Sequence, residues 1–77
     1  MIRIEYFDVF MGAINKHRLF AIVFYDDEPV GNWRYDDDAR EWDEIPCPGF
    51  YKDLLEKHGA KPVDNPPVTL PAELVCD

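Results

Sequence analysis

The N-terminal half of the chain alternates between apolar stretches and short polar connections, as β-sheet proteins do. Residues 2–11 begin with alternating apolar and charged side chains, and the apolar set then changes register after Tyr6. Such a change indicates either a β-bulge or a strand whose two faces are both partly covered. Residues 19–25 are apolar without interruption, which is typical of a strand buried on both faces. The pattern therefore predicts two long strands, of which the second is central in the sheet.

Two shorter strands follow the central one. A proline preceded by three acidic residues ends the central strand, because proline donates no ladder hydrogen bond and acidic residues favour turns. Residues 30–35 and 40–45 then flank a short acidic connection, which predicts a hairpin with an acidic tip. A cross-strand pair of Trp42 with Trp33 or Tyr35 would contribute about 0.2–1 kcal/mol and hold the register of this hairpin.

After the hairpin, the pattern changes to that of a helix and then to that of an extended segment. About ten residues from Phe50 onward are amphipathic, with Phe50, Leu54 and Leu55 on the apolar side and Tyr51 alongside. A helix this short has to pack its Phe50 and Leu54 face on the sheet to be stable. Gly59 is a helix stop signal. We expect an α+β fold in which residues 1–61 form one small domain, an antiparallel β-meander of about four strands with one α-helix packed on one face. Residues 62–77 form a Pro-rich, extended C-terminal tail packed on that domain.

Length and composition limit this fold to a single core. The 77 residues leave no room for a second core, and a chain of this size buries only about 60% of its unfolded surface. The longest apolar run has seven residues, far below the ~18 of a membrane-spanning helix, and no secretory leader is visible. We expect a cytoplasmic protein in which Cys47 and Cys76 are reduced, with a disulfide between them as the alternative.

Residues suited to catalysis or metal binding are sparse. The chain has no serine. Its two cysteines and two histidines allow a Cys–His pair in number, Cys47 or Cys76 with His17 or His58, but Cys47 follows an acidic stretch that disfavours a reactive thiolate. Two cysteines and two histidines match a zinc site in number but not in spacing, and residues 36–41 lack the pattern of a calcium-binding loop. No phosphate-binding glycine motif occurs. We therefore expect no enzymatic activity, no catalytic residue, no metal and no cofactor.

Charge is distributed very unevenly along the chain. Residues 26–44 contain nine acids and two bases, a net charge of −7, whereas the remaining 58 residues have a net charge of −1. Such a protein is repelled by phosphate backbones and anionic lipids, so we expect no direct binding to nucleic acid or membranes. Aromatic side chains among the acids favour a protein interface. The candidate binding residues are Asp26, Asp27, Glu28, Trp33, Asp36, Asp37, Asp38, Glu41, Trp42, Asp43 and Glu44.

These observations predict a non-catalytic acidic interaction module, most simply a small stoichiometric inhibitor. It would present its carboxylate-rich hairpin to a basic surface of another protein, such as a nucleic-acid-binding complex, and so act as a DNA mimic. Bacteriophages and mobile elements encode acidic inhibitors of this class, including anti-restriction and anti-CRISPR proteins. Two alternatives stay open: a toxin-neutralising immunity protein or accessory subunit, and a homodimer or other homo-oligomer that covers the second face of the central strand. The hairpin could also be a solvated turn whose tryptophans lie in the core.

Overall fold

The computed structural model describes residues 1–46 and 51–75. Its strands form a single antiparallel sheet. Its five strands are β1 (Ile2–Met11), β2 (Lys16–Tyr25), β3 (Glu28–Asp36), β4 (Glu41–Glu44) and β5 (Lys61–Val63). Across the sheet their order is β4-β3-β2-β1-β5. The described helices are α1 (Tyr51–Lys57) and the single turn α2 (Ala72–Val75). The predicted meander is confirmed for β1 to β4, whereas β5 is a fifth strand that the sequence pattern did not predict.

Strands β1 and β2 pair along their whole length without a bulge. The change of apolar register after Tyr6 therefore has the other predicted cause, a strand covered on both faces. Tyr6 belongs to the cluster on one face of the sheet, and Phe7 belongs to the cluster on the opposite face. The irregularity lies instead in β3, where Val30 is an extra residue opposite the step from Val23 to Phe24. Such an insertion redirects a side chain locally.

Helix α1 covers one face of the sheet. The buried cluster on this face consists of Phe7, Val9, Phe20, Ile22, Phe24 and Leu55. Tyr51 packs against the same cluster, and because it lies four residues before Leu55, the two side chains share one side of the helix. The predicted packing of this helix face is confirmed for Leu55 and Tyr51, whereas Leu54 is 45% exposed and contributes less to the core than predicted. Phe50, the other predicted contact, lies outside the described residues.

Gly59 ends α1 in the way that the sequence predicts. Its φ of 78° lies in the left-handed region that glycine adopts without strain. The amide of Ala60 donates to the carbonyl of Leu55 at 3.0 Å, and the amide of Gly59 donates to the carbonyl of Glu56 at 3.0 Å. This pair of bonds is a Schellman motif, which satisfies the last carbonyls of the helix. The chain then turns directly into β5, which pairs with β1.

The C-terminal segment covers the opposite face of the sheet. Leu70 is 6% exposed and forms a buried cluster with Ala21 and Val23 of the central strand. The amide of Leu70 also donates to the hydroxyl of Tyr6 at 2.8 Å. Both faces of β2 are therefore covered within one chain, so the apolar pattern of residues 19–25 does not require a second copy.

Both edges of the sheet are short and carry residues that discourage further strand pairing. Strand β4 has four residues, of which three are acidic, and β5 has three residues with Pro62 at its centre. Charged side chains and proline are the usual means by which edge strands avoid pairing with another chain. Edge-to-edge association of two sheets is therefore disfavoured.

We predict that the tail stabilises the domain through Leu70. Substitution of Leu70 by alanine should lower the free energy of unfolding by about 2–4 kcal/mol, because it leaves a cavity against Ala21 and Val23. Leu74→Ala is the matched control, since this side chain is 39% exposed and should lose less than about 1 kcal/mol. Urea denaturation monitored by tryptophan fluorescence measures both changes. Equal losses in the two variants would contradict the packing of the tail described here.

Candidate interaction surface

The acidic stretch that is continuous in sequence forms two separate patches in the structure. Asp26, Asp27 and Glu28 lie at the turn between β2 and β3, and residues 36–44 form the tip and outer strand of the β3–β4 hairpin. Strand β3 has nine residues and separates these sites, which places its two ends roughly 25 Å apart at 3.3 Å per residue. A single flat contact would have to be long to include both patches.

The patch at the β2–β3 turn is partly neutralised within the chain. Asp26 and Asp27 have φ values of 49° and 68°, as expected for a two-residue turn between strands, and aspartate tolerates this conformation. The amino group of Met1 lies 2.7 Å from Asp26 Oδ1, and Arg3 Nη1 lies 2.6 Å from Asp27 Oδ1. Sequence reasoning missed these partners, because Met1 and Arg3 come close to the turn only through the pairing of β1 with β2.

At the hairpin tip, Asp36 has a structural role. Its Oδ1 accepts hydrogen bonds from the amides of Asp38 at 3.0 Å and Ala39 at 3.2 Å. The amide of Arg40 donates to the carbonyl of Asp36 at 2.7 Å. The two hydrogen bonds to Oδ1 favour the ionised carboxyl. They lower the pKa of Asp36 below its ordinary value of 3.8, and the bond from the Ala39 amide has the larger effect. The carboxylate of Asp36 is thus used to hold the turn, whereas Asp37 and Asp38 point their charge outward from an exposed tip.

Strand β4 carries the other acids along the edge of the sheet. Asp43 lies 3.8 Å from Arg34 on the neighbouring strand, a distance that makes a weak, exposed ion pair. Glu41 and Glu44 form no ion pair with any residue in the described ranges. Within the hairpin, the carboxylates that remain available to a partner are therefore those of Asp37, Asp38, Glu41 and Glu44. Glu28, at the separate β2–β3 turn, is also exposed and forms no ion pair with a described residue.

Trp33 and Trp42 pack inside the protein, on the face covered by the tail. The ring of Trp42 lies 5.2 Å from that of Tyr35, its cross-strand neighbour, so the predicted aromatic pair is confirmed. It also lies 6.1 Å from Tyr6, and its Nε1 donates to the carbonyl of Thr69 at 3.2 Å. Both tryptophans are only half-exposed or less. Their contacts with the buried cluster around Leu70 are part of the fold. That they also contact a partner stays a prediction.

Among residues 1–46 and 51–75, the side chains suited to metal binding are dispersed. Among the described residues, no cluster of His, Cys, Asp and Glu has the arrangement needed for a metal ion. His17 lies 2.8 Å from Asp8 as an exposed pair, and Cys47 and Cys76 lie outside the described ranges. No helix in the described parts of the chain has the length and apolar character needed to cross a membrane.

Comparison with known proteins identifies no relative of this chain. No protein-family model matches the chain, and no curated protein or solved structure is similar enough to be compared with it. The candidate surface is therefore defined by its own geometry and charge.

We predict that ionised Asp36 stabilises the hairpin tip. Since its folded pKa lies below the unfolded value, its contribution is fully present above the unfolded pKa and is lost as the pH falls through the folded pKa. Asp36→Ala should lower the melting temperature at neutral pH, whereas Asp36→Asn, which keeps an acceptor oxygen, should lower it less. Carboxyl chemical shifts followed from neutral to acidic pH measure the titration directly. A midpoint at or above 3.8 would contradict the hydrogen bonds described.

We also predict that Trp42 holds the tail against the sheet. Trp42→Phe keeps an aromatic ring but removes the donor to Thr69, and it should cost about 0.5–1.5 kcal/mol of stability. Hydrogen exchange should become faster at the amide of Leu70, which belongs to the same cluster. Unchanged exchange at this amide would mean that the hydrogen bond contributes nothing to the docking of the tail.

Proposed function

We propose that this protein is a non-catalytic acidic inhibitor that binds the basic, nucleic-acid-binding surface of another protein through its β3–β4 hairpin. The observation that supports this proposal is the position of the available carboxylates. Asp37, Asp38 and Glu41 are exposed at the tip, and Glu44 follows on the same outer strand. None of them forms an ion pair within residues 1–46 or 51–75. The charge is therefore directed outward and is not used to stabilise the described fold.

The spacing of an antiparallel strand supports mimicry of a phosphate backbone. Such a strand rises about 3.4 Å per residue, which equals the axial spacing of successive phosphates on one DNA strand. Glu41 and Asp43 are two residues apart and therefore lie on the same face of β4, about 6.8 Å apart along the strand. This backbone spacing equals the axial spacing of every second phosphate, and the long, exposed pair of Asp43 with Arg34 at 3.8 Å is weak enough to be exchanged for a partner's cation.

The hairpin also holds its carboxylates in a defined arrangement before binding. The Tyr35 and Trp42 rings fix the pairing of β3 with β4, and Asp36 fixes the turn. Pre-organised groups lose less conformational entropy on association. A net charge of −8 further accelerates encounter with a basic surface at low salt, and this effect weakens as salt is added. We expect the protein to act in the cytoplasm, on a protein partner and without a cofactor.

We predict that the triple variant Asp37→Asn, Asp38→Asn, Glu41→Gln loses partner binding without unfolding. Each exposed charge contact contributes about 0.5–1 kcal/mol, so the variant should bind about 10- to 100-fold more weakly. Immobilised wild-type protein captures the partner from a bacterial extract at low salt, and elution with salt releases it. Calorimetric titration of the purified partner, with and without a competing DNA duplex, then measures affinity and competition.

A control variant separates the position of these charges from their number. Asp53→Asn, Glu56→Gln, Asp64→Asn removes three exposed carboxylates outside the hairpin and should bind as the wild type does. Equal weakening in both triple variants would contradict the hairpin as the binding surface. A purified partner that binds no nucleic acid and whose toxic activity is neutralised would replace the proposed function with that of an immunity protein.

A further inference from the structure

The face covered by the tail retains an open groove near the β2–β3 turn, which is lined mainly by apolar residues but also exposes polar atoms. The groove has a volume of about 420 Å³. Its walls come from the ends of β1 and β2, from the irregular part of β3 and from α2. The side chains important to its character are Ile2, Tyr25, Val30, Trp33, Glu44 and Leu74.

Four large, mainly apolar side chains are exposed around this groove. Val30 is 63% exposed, Tyr25 is 52% exposed, Ile2 is 42% exposed and Leu74 is 39% exposed. Val30 takes this position because it is the extra residue of the β3 irregularity, and such irregularities re-aim side chains. Four apolar side chains that converge on one groove form a patch, and patches of this kind mark interaction sites.

The floor of the groove is formed by rigid parts of the fold. A Cβ atom on Gly31 would lie 3.3 Å from Trp33 Nε1 and 3.9 Å from Val23 Cβ, so the indole lies directly over the backbone at this glycine. Trp33 and Val23 both belong to the cluster under the tail. The groove therefore exists before any partner binds.

The charge around the groove is negative. Glu44 lines it, and Glu28 lies opposite Tyr25 in the strand pairing and thus on the same face. Glu73 precedes Leu74 in α2. None of these three glutamates forms an ion pair with a described residue, and no lysine or arginine lines the groove. An apolar groove with a negative rim is complementary to an apolar side chain flanked by lysine or arginine.

We propose that this groove binds one apolar side chain of an extended, lysine- or arginine-rich segment of the partner protein. The inference rests on the proposed function, because it supplies the apolar contact for the same basic partner. Glu44 connects the two surfaces, since it belongs both to the acidic outer strand and to the rim of the groove. An apolar centre surrounded by polar and charged groups is the usual arrangement of a protein interface. In this proposal Tyr25, Val30 and Leu74 add exposed apolar contacts to Trp33, which also lines the groove.

The test uses a fluorescein-labelled, lysine-rich peptide of about eight residues, a length that spans the groove in extended form, with one central leucine. A second peptide has serine in place of that leucine. Fluorescence anisotropy should show that the leucine peptide binds at least tenfold more tightly, since it buries one apolar side chain. Amide chemical-shift changes should centre on Tyr25, Val30 and Leu74. Val30→Ser and Leu74→Ser should each remove most of the difference between the two peptides.

Leu54→Ser is the matched control, because Leu54 is 45% exposed but lies on the α1 side of the sheet, and it should leave binding unchanged. Equal affinity for the two peptides, or shifts centred elsewhere, would overturn the proposal. Chemical-shift changes at the groove that depend on protein concentration in the absence of peptide would show that a second copy of the chain occupies it. That outcome would also overturn the proposal. With the natural partner, loss of binding in the hairpin triple variant but not in Val30→Ser would refute the groove and leave the proposed function standing.

Discussion

The central strand has apolar side chains on both of its faces, and the sheet is stable only when both faces are excluded from water. Phe20, Ile22 and Phe24 lie on one face, and Ala21 and Val23 lie on the other; all are at most 6% exposed. Full burial of such side chains contributes about 1.5–3 kcal/mol each, and a chain of 77 residues has few other sources of stability. Both covers come from the C-terminal half of the chain: α1 covers one face, and the segment around residue 70 covers the other.

This double cover decides what the β3–β4 hairpin can do. The aromatic side of the hairpin is engaged by the tail, through the contacts of Trp42 with Tyr6 and Thr69. Asp37, Asp38, Glu41 and Glu44, at its tip and along its outer strand, form no ion pair with any described residue. The hairpin is therefore held in place by its aromatic contacts with the tail, and its charge lies at the tip and along β4. A substitution in Trp42 would change both the stability of the tail and the presentation of the acids, whereas one in Asp37 would change only the charge.

Sequence patterns predicted the features that depend on local periodicity. The uninterrupted apolar run of residues 19–25 predicted a central strand, and Gly59 predicted the end of α1. Features that depend on the meeting of distant segments were not predictable in this way. Strand β5 has only three residues and contains Pro62, so no periodicity could reveal it, and the pairing of Arg3 with Asp27 follows only from strand register. For the same reason, one acidic stretch in the sequence became two patches, and the exposure of Val30 could not be foreseen.

Edge protection alone does not explain the acidic hairpin. A short outer strand needs charged side chains to avoid pairing with another sheet, and Glu41, Asp43 and Glu44 satisfy that need. Asp37 and Asp38 lie in the turn, which has no strand edge to protect, and Asp36 already supplies the carboxylate that holds it. Adjacent like charges at the tip repel one another and add nothing to the stability of the turn. The proposed binding to a basic partner would use these two charges, and the proposed groove adjoins the same hairpin at Glu44.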